Sequence, residues 1–336
     1  MLKIIRYILF PISLLYGLII EIRNTLFDNQ ILKSSEFDVK TILVGNISAG
    51  GTGKTPHIEY LIRLLKPSNK VATLSRGYGR KTHGFITANE NATANEIGDE
   101  PLQFFTKFKD ISVHVGAKRV DSVIEIMSDE KPPEVILLDD AFQHRKVTAK
   151  SYILLTKFND LFSDDFLLPT GTLRESRSGA KRASVIIVTK CPENLSKEAQ
   201  YKIIKKIQPT ASQKVFFTTI SYDENLKGTQ EITISELKDK DVLLVTGIAN
   251  PTPLEEYLKK EKINFKHLNF PDHHNFSDQD IEKIKKTSPQ KIIVTTEKDY
   301  MRLENKLENV VYISIKSVFL NEKKQFDDFV VSLLNN

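Results

Sequence analysis

Apolar runs of four residues recur along the first part of the chain and predict buried strands. They are Thr41–Val44, Val71–Leu74, Val135–Leu138, Tyr152–Leu155 and Val185–Val188. Between several of these runs, apolar residues recur at helical spacing, as at Val120, Val123, Ile124 and Met127. Strands that alternate with helices predict an α/β fold with a largely parallel, doubly wound sheet. Near-continuous apolar strands are typical of sheets buried on both faces.

The pattern changes after about Lys206. Lys214–Ile220 and the polar stretch up to Glu231 predict a ribbon or linker. A second set of strand-like runs follows at Val242–Val245, Phe265–Phe270, Lys291–Thr295 and Val310–Ile315. We therefore predict an N-terminal helix at 1–28, a core domain at 29–212, a linker ribbon at 213–240 and a smaller C-terminal α/β domain at 241–336.

An uncharged segment, Tyr7–Ile20, lies close to the N-terminus. It is shorter than the ~20 residues that span a bilayer. On a helix, one narrow stripe is polar or small and consists of Lys3, Arg6, Ser13, Gly17, Glu21 and Asn24. This pattern predicts an amphipathic helix at a membrane surface, with its basic residues near the lipid headgroups. The alternative is a helix that packs on the protein's own core and is kinked at Pro11.

Composition restricts the class of protein and the kind of partner. The 336 residues are 40% hydrophobic and 27% charged, as in soluble globular proteins. The single cysteine, Cys191, excludes an internal disulfide framework and a cysteine-based zinc site. A net charge of +5 favours an anionic partner, such as a nucleotide, a phospholipid surface or a phosphorylated substrate.

A glycine-rich loop joins the first predicted strand to a predicted helix. Its sequence is Ser48-Ala49-Gly50-Gly51-Thr52-Gly53-Lys54-Thr55. Strand, loop and helix in this order are the context of a phosphate-binding P-loop, although Ser48 replaces the first glycine of that motif. Backbone N–H groups and the helix N-terminus attract phosphates. Lys54 adds a positive charge, and the hydroxyl of Thr55 can ligate Mg²⁺.

Two pairs of carboxylates are candidates for metal binding or acid–base chemistry. Asp139 and Asp140 end the strand Val135–Leu138, so they should lie at the same sheet edge as the P-loop, where one can orient Mg²⁺. Asp99 and Glu100 begin a predicted helix and could bind metal or accept a proton. Helix capping is the alternative for each pair, and spacing alone favours it for Asp99.

Further polar residues follow predicted strands or precede a helix. Arg76, Arg119 and Arg174 are candidate anion contacts, because arginine can bind oxyanions through two parallel hydrogen bonds, although ordinary surface charge is the alternative. His273 and His274 lie in a loop before a helix. A loop histidine could share a proton with a carboxylate, and a surface pair is an equal alternative.

The motifs taken together resemble the tetraacyldisaccharide 4'-kinase family, the lipid A 4'-kinases. The resemblance rests on Leu15-Tyr16-Gly17, Val44-Gly45-Asn46-Ile47 with the P-loop, Ser75-Arg76-Gly77-Tyr78-Gly79, Gly98-Asp99-Glu100-Pro101, Asp139-Asp140-Ala141-Phe142-Gln143-His144, Leu173-Arg174-Glu175, Asp272-His273 and Thr296-Glu297-Lys298-Asp299. A P-loop alone is shared by many NTPases, whereas this ordered set is much more specific. Ala141 departs from the glycine that is usual at its position.

The resemblance implies an ATP-dependent, P-loop NTPase-like kinase. Its substrate would be an acylated glucosamine disaccharide 1-phosphate, phosphorylated on the 4'-hydroxyl at the cytoplasmic face of the bacterial inner membrane, with no nucleic-acid partner. The implied roles are Ser48–Thr55 for ATP; Thr55, Glu100, Asp139, Asp140 and Gln143 around Mg²⁺; Arg76, Arg119 and Arg174 for phosphates or substrate; and Asp99 as base, assisted by His273. Because His273 lies in the smaller domain, catalysis would require the domains to close.

Two other classes of protein compete with the kinase. One is a P-loop regulatory GTPase or metallochaperone at the membrane surface. Thr189-Lys190-Cys191-Pro192 partly matches the Asn-Lys-x-Asp motif of GTPases, but Pro192 stands where guanine recognition needs a carboxylate. The single cysteine argues against metal delivery. The other class is a non-catalytic membrane-binding module, which the intact P-loop and carboxylates disfavour.

Overall fold

The computed structural model describes residues 8–289 and 291–335. Its strands are β1 (Lys40–Gly45), β2 (Val71–Ser75), β3 (Ile86–Thr87), β4 (Ser112–Val115), β5 (Val135–Asp139), β6 (Ser151–Lys157), β7 (Val185–Thr189), β8 (Lys214–Tyr222), β9 (Asn225–Gly228), β10 (Ile232–Thr233), β11 (Val242–Thr246), β12 (Phe265–Asn269), β13 (Ile292–Thr296), β14 (Val310–Ile313) and β15 (Ile315–Phe319).

Helices cover both sheets and connect many of the strands. They are α1 (Phe10–Asp28), α2 (Lys54–Leu65), α3 (Ala94–Ile97), α4 (Asp99–Lys107), α5 (Arg119–Met127), α6 (Lys197–Ile207), α7 (Thr252–Lys260), α8 (Asp278–Thr287), α9 (Glu297–Leu303) and α10 (Lys323–Asn335). Short 3₁₀ turns occur at Phe162–Asp164, Arg177–Arg182 and Ile234–Leu237.

The larger sheet has nine strands in the order β15-β8-β7-β6-β1-β5-β2-β4-β3. In the part of the chain that the structure describes, its inner strands are parallel, and β3 and β15 at the two edges pair antiparallel with their neighbours. The register pairs Val44 of β1 with Asp139 of β5, so the P-loop and the paired aspartates leave the sheet side by side. The prediction of a largely parallel α/β fold is therefore confirmed.

The smaller sheet has six strands in the order β10-β9-β14-β13-β11-β12. Strands β11, β12, β13 and β14 are parallel, as the second set of apolar runs predicts. The antiparallel pair β9 and β10 extends this sheet at one edge. Helix α9 packs against β13 and β14 and also contacts α4, which belongs to the larger lobe.

The sheets divide the chain differently from the predicted boundaries. Strand β8, which falls within the predicted linker at 213–240, is part of the nine-stranded sheet. Strand β15 and helix α10, which fall within the predicted domain at 241–336, also return to that sheet. The reason is aromatic packing, since Phe319 and Phe326 contact Phe216 of β8 at centroid distances of 6.0 and 5.3 Å. The C-terminal segment thus completes the larger lobe.

Helix α1 turns its polar stripe towards the protein. Ser13 donates to the hydroxyl of Thr170 at 2.7 Å, and Asn24 donates to Glu175 at 3.0 Å. The described part of the stripe therefore packs on the protein itself, because these polar side chains have partners in the loop before β7, whereas the predicted headgroup contacts concern the basic residues of the stripe. Lys3 and Arg6 of the predicted stripe lie outside the described residues. Pro11 is in the first turn of α1, where proline is well tolerated, and Ile8 on the other side of the turn at Leu9 is also helical.

The opposite face of α1 is apolar and exposed. Its exposed residues are Phe10, Ile12, Leu14, Leu15, Leu18, Ile19 and Ile22, and Ile8 just before the helix is exposed as well. Among the described residues, α1 is the one helix that is long and apolar enough to cross a membrane. A surface helix of a soluble protein normally buries its apolar side chains and exposes its polar ones, whereas α1 does the reverse.

Candidate active site

The P-loop forms between β1 and α2 with the backbone that its glycines permit. Gly50 and Gly53 have φ values of 103° and 89°, in the region that residues with a Cβ rarely adopt. Ser48 is not among the described residues with positive φ, so a serine is accommodated there without backbone strain. The N–H of Ala49 donates to the carbonyl of Thr172 at 2.7 Å, which anchors the start of the loop to the segment before Arg174.

Asp140 lies between two cations at the edge of the sheet. Its Oδ1 is 3.6 Å from Nζ of Lys54 and 3.0 Å from Nη2 of Arg174. Burial alone would raise the pKa of Asp140, but Lys54 and Arg174 outweigh that effect and lower it. Asp140 also adopts a left-handed backbone, with φ of 46°, whereas Ala141 does not. The alanine that departs from the family pattern is therefore at a position that does not require glycine.

Three oxygen-bearing side chains converge beside the P-loop. The hydroxyl of Thr55 is 3.4 Å from Oε1 of Glu100. Oδ2 of Asp139 accepts from the hydroxyl of Ser75 at 3.2 Å, while its Oδ1 is buried without a hydrogen-bond partner in the described part of the chain. Burial, reinforced by the negative charge of Glu100, raises the pKa of Asp139 to about 7. An unpartnered buried oxygen with like charge beside it fits a site for a cation.

The composition of this group suits Mg²⁺. Mg²⁺ prefers oxygen ligands and is usually held by one or two carboxylates together with substrate phosphates. Within residues 8–289 and 291–335, no group of three or more histidine, cysteine or acidic side chains forms a metal cage. Gln143, also predicted near the metal, instead donates its side-chain N–H to the carbonyl of Asn46 at 2.9 Å. Its amide thus stabilises the segment just before the P-loop.

The three candidate arginines have different surroundings. Arg174 donates to Asp140 and to Oδ1 of Asn46, the latter at 2.6 Å, beside the P-loop. Arg119 is buried and donates to the backbone carbonyls of Gly116 and Asp139. Burial lowers the pKa of Arg119 to about 10. Arg76 is exposed directly after β2. The structure therefore places Arg174 beside the P-loop, while Arg119 binds the backbone at the end of β5.

Asp99 begins helix α4, but its side chain does not cap that helix. It is 3% exposed and lies 3.3 Å from Nδ1 of His273, which comes from the smaller lobe. Arg302 donates to both carboxylate oxygens of Asp99, each at 2.7 Å. Burial alone would raise the pKa of Asp99, but His273 and Arg302 outweigh it and lower that pKa. The capping alternative is therefore wrong, because the carboxylate faces the other lobe.

The two adjacent histidines have different partners. Nζ of Lys298 lies 3.0 Å from Nε2 of His273. A lysine ammonium is only a donor, so Nε2 accepts and Nδ1 carries the proton that is donated to Asp99. His274 instead contacts Asp280 at 3.0 Å and stacks on Phe270. His273 thus belongs to the cross-lobe cluster, and His274 to the cap of helix α8.

Arg302 and Lys298 are the site residues that sequence reasoning missed. Both lie on α9. Lys298 is part of the Thr296-Glu297-Lys298-Asp299 motif, but the family resemblance implied no role for it. No periodicity or spacing in the sequence relates Arg302 to Asp99, which precedes it by 203 residues. The sequence signal that could have indicated a functional role for α9 was the Thr296-Glu297-Lys298-Asp299 motif, since this motif starts a helix directly after an apolar strand.

A cavity of about 480 Å³ opens between the two lobes beside the P-loop. Lys54, Thr55 and Glu100 line one part of it. Tyr222, Ile248 and Ile313, among others, line the rest with apolar surface. A polar, cationic end joined to an apolar pocket is the shape that a nucleotide requires, with phosphates at the loop and the base among apolar side chains.

A buried ion-pair network connects the lobes at the wall of this cavity. Nζ of Lys107 is 2.8 Å from Glu59 of α2 and 2.9 Å from Glu297 of α9. The two glutamates are 1% and 6% exposed. Burial, together with the negative charge of Glu59, raises the pKa of Glu297. Lys107 therefore holds two carboxylates that would otherwise repel each other, and it joins three helices around the cavity.

Replacing Lys107 with methionine should lower the free energy of unfolding by about 3 kcal/mol, because buried Glu297 loses its cation beside the negative charge of Glu59, which keeps its pair with Arg63. Urea unfolding followed by circular dichroism measures this change. Lys206→Met is the matched control, since Lys206 pairs with Asp164 where both side chains are more than half exposed. The free energy of unfolding of this control variant should fall by less than about 1 kcal/mol. Equal losses in the two variants would show that the network does not stabilise the junction between the lobes.

Comparison with known proteins identifies the family. A family model described as tetraacyldisaccharide-1-P 4'-kinase matches residues 5–335. A tetraacyldisaccharide 4'-kinase of Flavobacterium johnsoniae is 54% identical over 328 residues, covering 97% of this chain and 96% of that protein. One of Flavobacterium psychrophilum is 50% identical over 337 residues, covering 99% of this chain and 98% of that protein.

A solved structure agrees with the sequence matches. It is described as the "apo" form of LpxK from Aquifex aeolicus in complex with ATP, and it matches with a TM-score of 0.81 and 31% identity. The match covers 98% of this chain and 99% of that one. These findings favour a kinase over a regulatory NTPase. The chain belongs to the tetraacyldisaccharide 4'-kinase family, the lipid A 4'-kinases.

Proposed function

We propose that this kinase transfers the γ-phosphoryl group of ATP to the 4'-hydroxyl of a tetraacylated glucosamine disaccharide 1-phosphate between the P-loop and the Asp99–His273 pair. One observation carries this proposal. Thr55 of the P-loop contacts Glu100 at 3.4 Å, and Glu100 directly follows Asp99. The phosphate loop therefore lies close to the start of the helix that carries the candidate base.

The proposed roles follow from the contacts of each side chain. Lys54 and the P-loop N–H groups bind the phosphates. Thr55, Glu100 and Asp139 would hold Mg²⁺, which neutralises phosphate charge when it is bound. Asp99, whose lowered pKa keeps it ionised at neutral pH, accepts the proton of the 4'-hydroxyl as that oxygen attacks phosphorus. His273 donates from Nδ1 to Asp99 and fixes its orientation.

The test is a transfer assay with γ-labelled ATP, Mg²⁺ and the acylated disaccharide 1-phosphate. We expect the label in the lipid product. The matched control is the same lipid without a 4'-hydroxyl, which should accept no label. Release of the label as inorganic phosphate at the same rate with either lipid would contradict the proposal and would favour a regulatory NTPase.

We further propose that the outer face of α1 binds the cytoplasmic face of the inner membrane. Seven apolar side chains of this face, and Ile8 just before the helix, are at least 40% exposed, and Phe166 extends the patch through an edge contact with Phe10. Such a surface is costly in water but stable at the boundary between headgroups and acyl chains. It would also place the cleft close to a lipid substrate.

Replacing both Leu14 and Leu18 with glutamate should reduce binding to anionic liposomes at least tenfold, because each change puts a charge where acyl chains would lie. Flotation of the full chain measures this loss. Ile124→Glu is the control, since Ile124 is 53% exposed on α5, outside this patch. Equal flotation of the double variant and the unchanged protein would contradict membrane binding through α1.

A further inference from the structure

We propose that Thr189, Lys190 and His57 are positioning residues that fix three successive peptide groups of the P-loop for phosphate binding. Each of these side chains forms a hydrogen bond with a backbone carbonyl of the loop. This inference rests on the proposed role of the P-loop in binding the phosphates of ATP. It also gives a function to the Thr189-Lys190-Cys191-Pro192 segment, which the proposed transfer mechanism does not use.

The carboxyl end of strand β7 holds the first two carbonyls. Nζ of Lys190 donates to the carbonyl of Gly51 at 2.9 Å. Thr189 is fully buried, and its hydroxyl donates to the carbonyl of Thr52 at 2.8 Å, while the carbonyl of Thr156 is farther away at 3.2 Å. Both contacts are with the phosphate loop itself. This segment therefore supports the loop whichever base the nucleotide carries.

His57 holds the third carbonyl from the first turn of α2. The residue is 3% exposed, and burial lowers the pKa of its ring to about 4, so the ring is neutral at pH 7. Its Nδ1 is 2.7 Å from the carbonyl of Gly53 and 3.2 Å from the hydroxyl of Ser317, and its Nε2 is 3.1 Å from the hydroxyl of Thr218. A carbonyl can only accept, so Nδ1 carries the proton and Nε2 accepts from Thr218. The ring therefore joins the P-loop to strands β8 and β15.

Fixing these carbonyls also fixes the direction of the N–H groups that follow them. The peptide bond is planar and trans, so the carbonyl of one residue and the N–H of the next point in opposite directions. The three contacts therefore turn the N–H groups of Thr52, Gly53 and Lys54 away from β7, β8 and β15. Those strands lie on one side of β1 in the sheet, and β5, which leads to Asp139 and Asp140, lies on the other. We therefore expect these N–H groups to face the proposed phosphate and Mg²⁺ contacts.

The composition of the P-loop makes such restraints useful. Gly50, Gly51 and Gly53 lie within five residues of chain, and glycine loses more conformational freedom on ordering than any other residue. Donors that are already oriented bind a charged group without reorganising at that moment. Side chains that hold the carbonyls therefore lower the cost of ordering the loop around phosphates. Their loss should weaken the binding of ligands that carry phosphates.

Two amide variants of His57 test the proposal, because neither changes the charge of the protein at neutral pH. The amide nitrogen of His57→Asn can take the place of Nδ1 and donate to Gly53, whereas that of His57→Gln reaches towards Thr218, in the place of Nε2. We expect His57→Gln to raise the Kd for ATP about three- to tenfold, as the loss of one hydrogen bond does, and His57→Asn to stay within about twofold. Calorimetric titration of the full chain with ATP and Mg²⁺ measures both. The Kd for adenosine, which has no phosphate, should not change in either variant.

Thr189→Val tests the contact from β7, since it removes the hydroxyl without a change of charge. It should also raise the Kd for ATP about three- to tenfold and leave the Kd for adenosine unchanged. Phe326→Leu is the control for general destabilisation, because Phe326 is buried against Phe216 and Phe319 in the core layer that also contains Ile58 of α2. It should lower the melting temperature while the Kd for ATP stays the same.

Several results would overturn the inference. They are an unchanged Kd for ATP in His57→Gln or Thr189→Val, equal losses in His57→Gln and His57→Asn, and equal weakening of ATP and adenosine. If Thr189→Val fails to fold, the two His57 variants decide. If Lys54→Ala bound ATP as tightly as the unchanged protein, the proposed role of the P-loop would fail instead, whatever the other variants do.

Discussion

Replacing Lys54 with alanine is expected to lower kcat by at least about 10²- to 10³-fold, as the loss of a preorganised donor at a developing charge does. The side chain of Lys54 is 14% exposed, lines the inter-lobe cavity and pairs with Asp140. Its loss removes a positive charge at the place where the phosphates would bind. Transfer of labelled phosphate to the lipid measures the effect.

The fold of the Lys54 variant should remain intact. Asp140 keeps its pair with Arg174 at 3.0 Å, so no buried carboxylate is left without a cation. The melting temperature should therefore change little. Lys206→Ala, which removes an exposed lysine outside the cavity, controls for net charge and should keep full activity. If the Lys54→Ala variant turned over at the wild-type rate, the proposed role of the P-loop in phosphoryl transfer would be contradicted.

Replacing Asp99 with alanine should lower kcat about 10²- to 10⁴-fold, because no base would then accept the proton of the 4'-hydroxyl. KM for ATP should change little, since the side-chain contacts of Asp99 are with His273 and Arg302 of the smaller lobe. Loss of the carboxylate also leaves Arg302 buried without its partner. We therefore expect a lower melting temperature as well, by a mechanism separate from the loss of kcat.

The neighbouring histidines provide the control for this pair. His273→Ala should lower kcat, and combining it with Asp99→Ala should cost less than the product of the two single losses, because groups that act as a unit are not additive. His274→Ala should affect kcat much less, since His274 contacts Asp280 and Phe270 instead of Asp99. Independent multiplication of the two losses, or a larger loss in the His274 variant, would contradict the assignment.

Several features of the site could be predicted because they are local in the chain. The P-loop depends on consecutive residues whose backbone conformations suit glycine, and the strand before it is recognisable from its apolar run. Asp139 could be placed beside the loop because the carboxyl ends of parallel strands lie at one edge of a sheet. The ordered motifs also identified the family, which the matches over residues 5–335 support.

The sequence alone determined the fold class, the P-loop, the acidic sheet edge and the family, because each depends on neighbouring residues or on their order. Only the tertiary structure decided which partners Asp99 has, since His273 and Arg302 follow it by 174 and 203 residues. It also decided that the polar stripe of α1 faces inward, because Thr170 and Glu175 supply its partners. The boundary between the lobes also depends on a contact between distant segments, the pairing of β15 with β8. Such contacts arise from packing between distant segments, and no local periodicity records them.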